Sequence, residues 1–226
     1  MQHLLTAAAA TGRRCALALL VVTLLVVTTP SLVSAQSRSE SRSESRSAAL
    51  YKESYALEAS RDYVAAIARV REASKAGSDS YFANVRLGWL TYLAGDFAES
   101  VARYTDAISA APTAIEPKLG LTLPLLAAGK WRELERACRE ALAVDTQNVT
   151  ALGRLAMSYY SLGNFGDAAT TYRRLADSYP ATLDYKTGLG WALLKLGRSA
   201  DARAQFEAVL AVSPDNTSAK QGMAVR

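Results

Sequence analysis

Histidine and cysteine, which most often carry nucleophilic, acid–base and metal chemistry, are almost missing from this chain. Its single histidine is His3, and its two cysteines are Cys15 and Cys138. A serine or cysteine relay needs an imidazole beside the nucleophile, and a tetrahedral zinc site needs several Cys or His donors. Beyond residue 35 there is no histidine and one thiol, so neither chemistry is expected there, nor an internal disulfide. Cys138 falls on an apolar helix position, where an inert buried thiol outweighs a nucleophile. Carboxylates offer no better pair. Glu133 and Glu135 do not share a helix face, and Glu58 and Glu116 have no acid–base partner in view. No glycine-rich phosphate loop follows a strand pattern. The chain is expected to be no enzyme, with no cofactor and no catalytic or metal site.

The frame that must position any binding residues is helical. Of 226 residues, 50% are apolar and 21% charged, enough for a packed core in one domain or a short repeat array. The net charge of +5 shrinks to +3 beyond residue 35, because residues 1–35 hold two arginines and no acid. No run of Lys/Arg forms a basic patch, so nucleic acid is not an expected partner.

Residues 1–35 read as a secretory signal peptide. Arg13 and Arg14 precede the apolar run Cys15–Thr29, Pro30 breaks it, and Val33-Ser34-Ala35 supplies a small-residue cleavage site. An uncleaved membrane anchor is the rival, although the run is shorter than the roughly 20 residues that span a bilayer. A twin-arginine signal or lipidation at Cys15 fits less well. Residues 36–46, which overlap the run SRSESRSESRS at 37–47, place Arg38, Arg42 and Arg46 on one helix face and Glu40 with Glu44 on another. Like charges at that spacing repel and serine disfavours helix, so a disordered, solvated tether is expected.

Beyond residue 46 the chain repeats. Gly95-Asp96-Phe97, Gly129-Lys130-Trp131 and Gly163-Asn164-Phe165 recur every 34 residues, and Gly197 continues the series. Tyr104, Cys138, Tyr172 and Phe206 share one register; Ala107, Ala141, Leu175 and Val209 share another. Pro112, Pro180 and Pro214 close three of the units. This pattern resembles the tetratricopeptide repeat family, whose 34-residue unit is a helix–turn–helix. The resemblance implies an all-α fold, a right-handed α-α superhelix of five units. They run 47–80, 81–114, 115–148, 149–182 and 183–216, with a short helical cap at 217–226.

Each recurrent residue has a physical reason. Small Ala66, Ser100, Ala168 and Ala202 let the paired helices approach, and the glycine at 95, 129, 163 and 197 caps the first helix in a left-handed conformation. Leu134 at the small position should splay the third unit, and Pro124 should kink its first helix. The cap is about two turns long, so a frayed end is expected, or one covered by a partner or a second copy.

In the family, five positions on each first helix face a concave groove. Carried over, they give Tyr51, Tyr55 and Glu58 in the first unit and Phe82, Trp89 and Tyr92 in the second. The third unit gives Leu119, Leu123 and Leu126; Met157, Tyr160 and Trp191 come from the last two. Seven of the 25 groove positions are aromatic and four are charged, so the groove should be apolar. The lysine, arginine and asparagine set with which chaperone-binding members hold a C-terminal carboxylate is absent from these positions. An apolar peptide or a partner's helix is the better match, while Trp89 and Trp191 could equally serve as inter-repeat core. The function expected is an exported, non-enzymatic adaptor holding a protein partner in a cell-envelope assembly, periplasmic in a Gram-negative source and otherwise secreted. The alternative is an accessory of envelope polysaccharide or outer-membrane biogenesis that contacts glycan. Self-association through the C-terminal end is a further expected contact, and a membrane only if the signal is retained.

Overall fold

The computed structural model describes residues 30–225, with side chains from Ser41 to Val225. The signal run Cys15–Thr29 and His3 lie outside the described residues. The chain divides into Met1–Arg38, of which only the opening of one helix is described, and Ser39–Arg226. The described residues are all-α. They form α1 Pro30–Ala59, α2 Tyr63–Lys75, α3 Ser80–Leu93, α4 Phe97–Ala110, α5 Ile115–Ala127 and α6 Trp131–Val144. There follow α7 Val149–Ser161, α8 Phe165–Ser178, α9 Leu183–Lys195, α10 Ser199–Val212 and α11 Thr217–Ala224. From α3 onward, successive helices pack as antiparallel neighbours, and alternate helices α3, α5, α7, α9 and α11 also touch in series. None of the described helices is long and apolar enough to cross a membrane.

The turn inside each pair is set by backbone chemistry. Gly95, Gly129, Gly163 and Gly197 have φ of 82°, 65°, 82° and 74°. That left-handed residue lets the next amide donate back five residues, as from Asp96 N to Thr91 O at 2.9 Å and Arg198 N to Leu193 O at 2.9 Å. The first pair makes the same turn with Arg61 at φ 63°, where a Cβ is strained. Ala66, Ser100, Ala168 and Ala202 are fully buried between their paired helices, and Leu134 is fully buried in their place. The α5–α6 pair is packed less extensively than α3–α4, α7–α8 or α9–α10. α5 runs through Pro124 as one helix.

A second pattern governs how units stack. The twenty-fourth residue of each unit lies opposite the sixth of the next. Where the former is a buried aromatic, the latter is glycine: Tyr104 with Gly120, Tyr172 with Gly188, Phe206 with Gly222. A Cβ on those glycines would stand 2.2, 2.6 and 2.3 Å from the ring. Where the twenty-fourth residue is smaller, Val70 or Cys138, the sixth is arginine, Arg86 or Arg154. Ring volume and side-chain volume thus trade across every interface.

Two expectations at the ends are corrected. The segment expected as a disordered tether at 36–46 is helical, part of α1. Ser43, Ser47, Leu50 and Ser54 fall on one face at spacings of four, three and four. Ser47, Leu50 and Ser54 are buried, and Ser43 Oγ donates to Ala76 O at 3.1 Å, capping the end of α2. Arg46 adds an ion pair to Glu72 at 2.8 Å. Small serines that disfavour an isolated helix allow close helix packing, and tertiary contact overrides propensity. At the other end α11 is docked rather than frayed. Asn216 Oδ1 caps it by accepting from Ala219 N at 2.8 Å, and Ala219 and Gly222 are buried.

Candidate functional site

The eight aromatic and methionine positions singled out by the repeat register gather in two groups. In the first, α1 presents Tyr51 and Tyr55 beside Phe82, Trp89 and Tyr92 of α3. Tyr51 meets Phe82 edge-on at 4.9 Å, and its hydroxyl shares a 2.9 Å hydrogen bond with Ser78 Oγ. Burial raises the Tyr51 pKa above the usual phenol value. Trp89 packs 5.8 Å from Tyr92, which in turn lies 6.0 Å from Phe97. Tyr55 and Phe82 are 50% and 40% exposed, the open part of this group.

Beneath these rings lies a charged pair of which the groove register gave only Glu58. Arg86 is 6% exposed. Its Nε and Nη2 donate to Ser54 Oγ at 3.2 and 3.1 Å, Nη1 donates to Glu58 Oε2, and its guanidinium lies 3.8 Å from the Tyr55 ring centroid. Trp89 Nε1 donates to the other Glu58 oxygen at 2.7 Å. Burial raises the Glu58 pKa, but the hydrogen bonds from Trp89 and Arg86 and the Arg86 charge outweigh it and hold the carboxyl below its usual value. Arg86, Ser54, Glu58 and Trp89 thus satisfy one another, and the charged pair is closed on itself.

The second group is open. Met157, Tyr160 and Ser161 of α7, Gly188 and Trp191 of α9, and Tyr172 of α8 as the floor enclose a cleft of about 390 Å³. Trp191 is half-buried, edge-on to Phe206 at 5.5 Å, with Nε1 donating to Ser218 Oγ at 2.9 Å. Met157 is 41% exposed. Gly188 opens the wall, since a Cβ there would strike Tyr172. Burial pushes the Tyr172 pKa up to about 12, so its hydroxyl stays neutral. The lining is rings, a thioether and one serine, suited to apolar side chains rather than to chemistry. Thr187, beside Gly188 on α9, is buried and donates to Leu183 O at 2.9 Å.

Between the two groups stands Arg154, one turn before Met157 on α7. Its Nη1 donates to Leu119 O at 2.9 Å and to Thr122 Oγ1 on α5. Burial lowers its pKa, and Tyr92, Tyr104 and Cys138 lie near it. Cys138 itself is fully buried, its thiol pushed up to about 12 by burial, which disfavours the thiolate a nucleophile needs.

Comparison with family models places residues 51–115 and 187–220 in one tetratricopeptide repeat model and residues 150–182 in another. The chain belongs to the tetratricopeptide repeat family. Solved repeat proteins share its fold. One is a tetratricopeptide repeat protein from Parabacteroides merdae ATCC 43184, 17% identical with a TM-score of 0.73, matching 79% of this chain and 71% of its own. MamA from Desulfovibrio magneticus RS-1 is 13% identical with a TM-score of 0.71, covering 76% of this chain and 97% of its own. YrrB, described as a repeat protein with an unusual peptide-binding site, is 14% identical with a TM-score of 0.69, covering 78% and 91%. A comparison with curated proteins yields no match. At these identities the tetratricopeptide repeat fold is what is shared.

Arg86, Arg154 and Tyr172 were not among the residues read from the sequence as facing a partner. The two arginines occupy the sixth place of alternate units, outside the five places taken as groove-facing, and Tyr172 sits on a second helix. The available signal was the exchange of arginine, at 86 and 154, for glycine, at 120, 188 and 222, in the sixth place, which marks where a ring gives way to a charge.

Proposed function

We propose that this tetratricopeptide repeat protein is an exported, non-enzymatic adaptor. It holds an apolar segment of a partner protein in the cleft between α7 and α9, within a cell-envelope assembly. The observation that carries the reading is the cleft itself: about 390 Å³, bounded by Met157, Tyr160 and Trp191 on two successive first helices. A large ring such as Trp191, fixed by its hydrogen bond to Ser218, buries much area while losing little side-chain freedom. YrrB, the repeat protein described as having a peptide-binding site, supports the peptide class by analogy. Export rests on the apolar run Cys15–Thr29 after Arg13 and Arg14. The glycan alternative is weaker, because the Thr187 hydroxyl is turned to Leu183 O rather than into the cleft.

The test is affinity capture from an envelope extract with the full chain, beside a Trp191→Ala variant that matches it by circular dichroism. Proteins retained by the native chain and lost by the variant support the reading. Equal retention by both moves the site elsewhere on the surface. Fractionation of source cells tests export, and recovery of the chain only in the cytosol would refute it.

A further inference from the structure

The chain builds the same arginine seat twice but fills it once. In the first seat Arg86, sixth in its unit, reaches back to the preceding first helix, where Ser54 is eighth and Glu58 twelfth in their unit; it binds both. In the second seat Arg154, sixth in its unit, reaches back to Thr122, eighth in the unit before it, through Nη1, which also donates to Leu119 O. The twelfth residue there is Leu126. Serine and threonine correspond, and arginine and arginine correspond; the carboxylate is missing, and Leu123 stands where the Tyr55 ring lies against Arg86. Among the described residues no carboxylate lies within ion-pair distance of Arg154. The residue that steadies the carboxylate in the first seat is Trp89, and its counterpart in the second is Met157, already a wall of the open cleft.

From this internal comparison we propose that Arg154 receives an acidic side chain, Asp or Glu, from a partner segment lying across α5 and α7. The carboxylate takes the place over Leu126 that the Glu58 carboxylate takes beside Arg86, and a neighbouring apolar side chain of the same segment enters the Met157–Tyr160–Trp191 cleft. The proposal rests on the peptide-binding reading of that cleft and adds its charge requirement. Charge complementarity selects the occupant: a half-buried guanidinium whose bonds go only to neutral oxygens gains most from a carboxylate, and an amide of the same shape cannot replace it. The pairing also sets direction, since Arg154 and the cleft mark two points along one helix.

An array of acetylated, amidated dodecapeptides supplies the probe, each carrying Leu, Phe or Trp with one Glu or its Gln counterpart two to five residues away. Matched peptides with a free C-terminal carboxylate and no acidic side chain form a third arm. The full chain is compared with Arg154→Leu, Leu126→Glu and Trp191→Ala, all checked for helicity. The expected result is a preference for Glu over Gln of about tenfold in the native chain. It vanishes in Arg154→Leu, and also in Leu126→Glu, whose own carboxylate fills the seat. Leu126→Glu should also cost less thermal stability in the native background than in Arg154→Leu. Equal binding of Glu and Gln peptides, lost in Trp191→Ala, overturns the carboxylate proposal and leaves the cleft reading standing. A preference only for the free C-terminus overturns the side-chain source. Binding no better than that of Trp191→Ala overturns both.

Discussion

Replacing Gly120 with alanine should destabilise the array, against the ordinary helix preference for alanine. Gly120 lies within α5, where alanine would by propensity gain about 0.8–1 kcal/mol. Its new Cβ, however, would stand 2.2, 2.5 and 2.8 Å from Cε1, Cζ and Cδ1 of Tyr104. The ring cannot retreat easily: it is 3% exposed, and on its other flank a Cβ at Gly88 would meet it at 3.0 Å. Overpacking of this kind costs about 1–3 kcal/mol, and a ring held close to two helix backbones belongs at or slightly above the top of that range. The net loss is about 2 kcal/mol, or roughly 4–8 °C in a chain of this size. Urea denaturation followed at 222 nm measures it as a midpoint shift at constant slope. Gly166→Ala is the control, because its Cβ would meet nothing within 4 Å and the residue is exposed; there the same substitution should gain up to about 1 kcal/mol. Tyr104→Leu should recover part of the Gly120→Ala loss. If Gly120→Ala stabilises as Gly166→Ala does, or shows no coupling to Tyr104, the reasoning about ring and glycine is wrong.

Other outcomes follow from single sites. Glu58→Gln leaves Arg86 buried without its counter-charge and should cost about 2–3 kcal/mol, below the figure for fully buried pairs because Glu58 keeps 23% side-chain exposure. The folded Glu58 pKa is lower than its usual 4.5, so the pair stabilises fully above that pH and progressively less as pH falls through the lower folded value. Glu58→Gln should flatten that acid limb in thermal melts as pH falls below 4.5. In a Cys15→Ser variant, Cys138 should not react with a thiol reagent in the native chain, and should react fully in denaturant, by absorbance titration. Arg61→Gly should raise the melting midpoint by the equivalent of up to about 1 kcal/mol, since a left-handed backbone strains a Cβ.

The repeat frame was legible because it is written in residues that act locally. A glycine ends a first helix wherever it occurs, so Gly95, Gly129, Gly163 and Gly197 announce four turns without any knowledge of their neighbours. The rings Tyr51, Trp89, Tyr160 and Trp191 could be placed by register alone, for the same reason. What escaped was written in pairs far apart in sequence. Glu58 and Arg86 are separate charges until two units stack, and only then does one explain the other. Ser43 within the 36–46 segment suggests disorder when weighed alone, yet on one helix face with Ser47 and Ser54 it admits a neighbouring helix. The floor of the cleft, Tyr172, is a core residue of its own unit and becomes a lining residue only because Gly188 in the next unit leaves it uncovered.

The ring-for-glycine exchange across successive interfaces has a consequence for recombining this chain. Its units are not interchangeable tiles; each carries a donor edge and an acceptor edge that must match. Excising residues 115–148 would set Tyr104 against Arg154, a ring where only a smaller residue is accommodated. Excising 115–182 would set Tyr104 against Gly188, and excising 183–216 would set Tyr172 against Gly222, both joins of the kind the chain already uses. Shortened versions should therefore fold or fail according to which edges meet rather than how many units remain. The array can lose one unit or two, provided the cut respects its own parity.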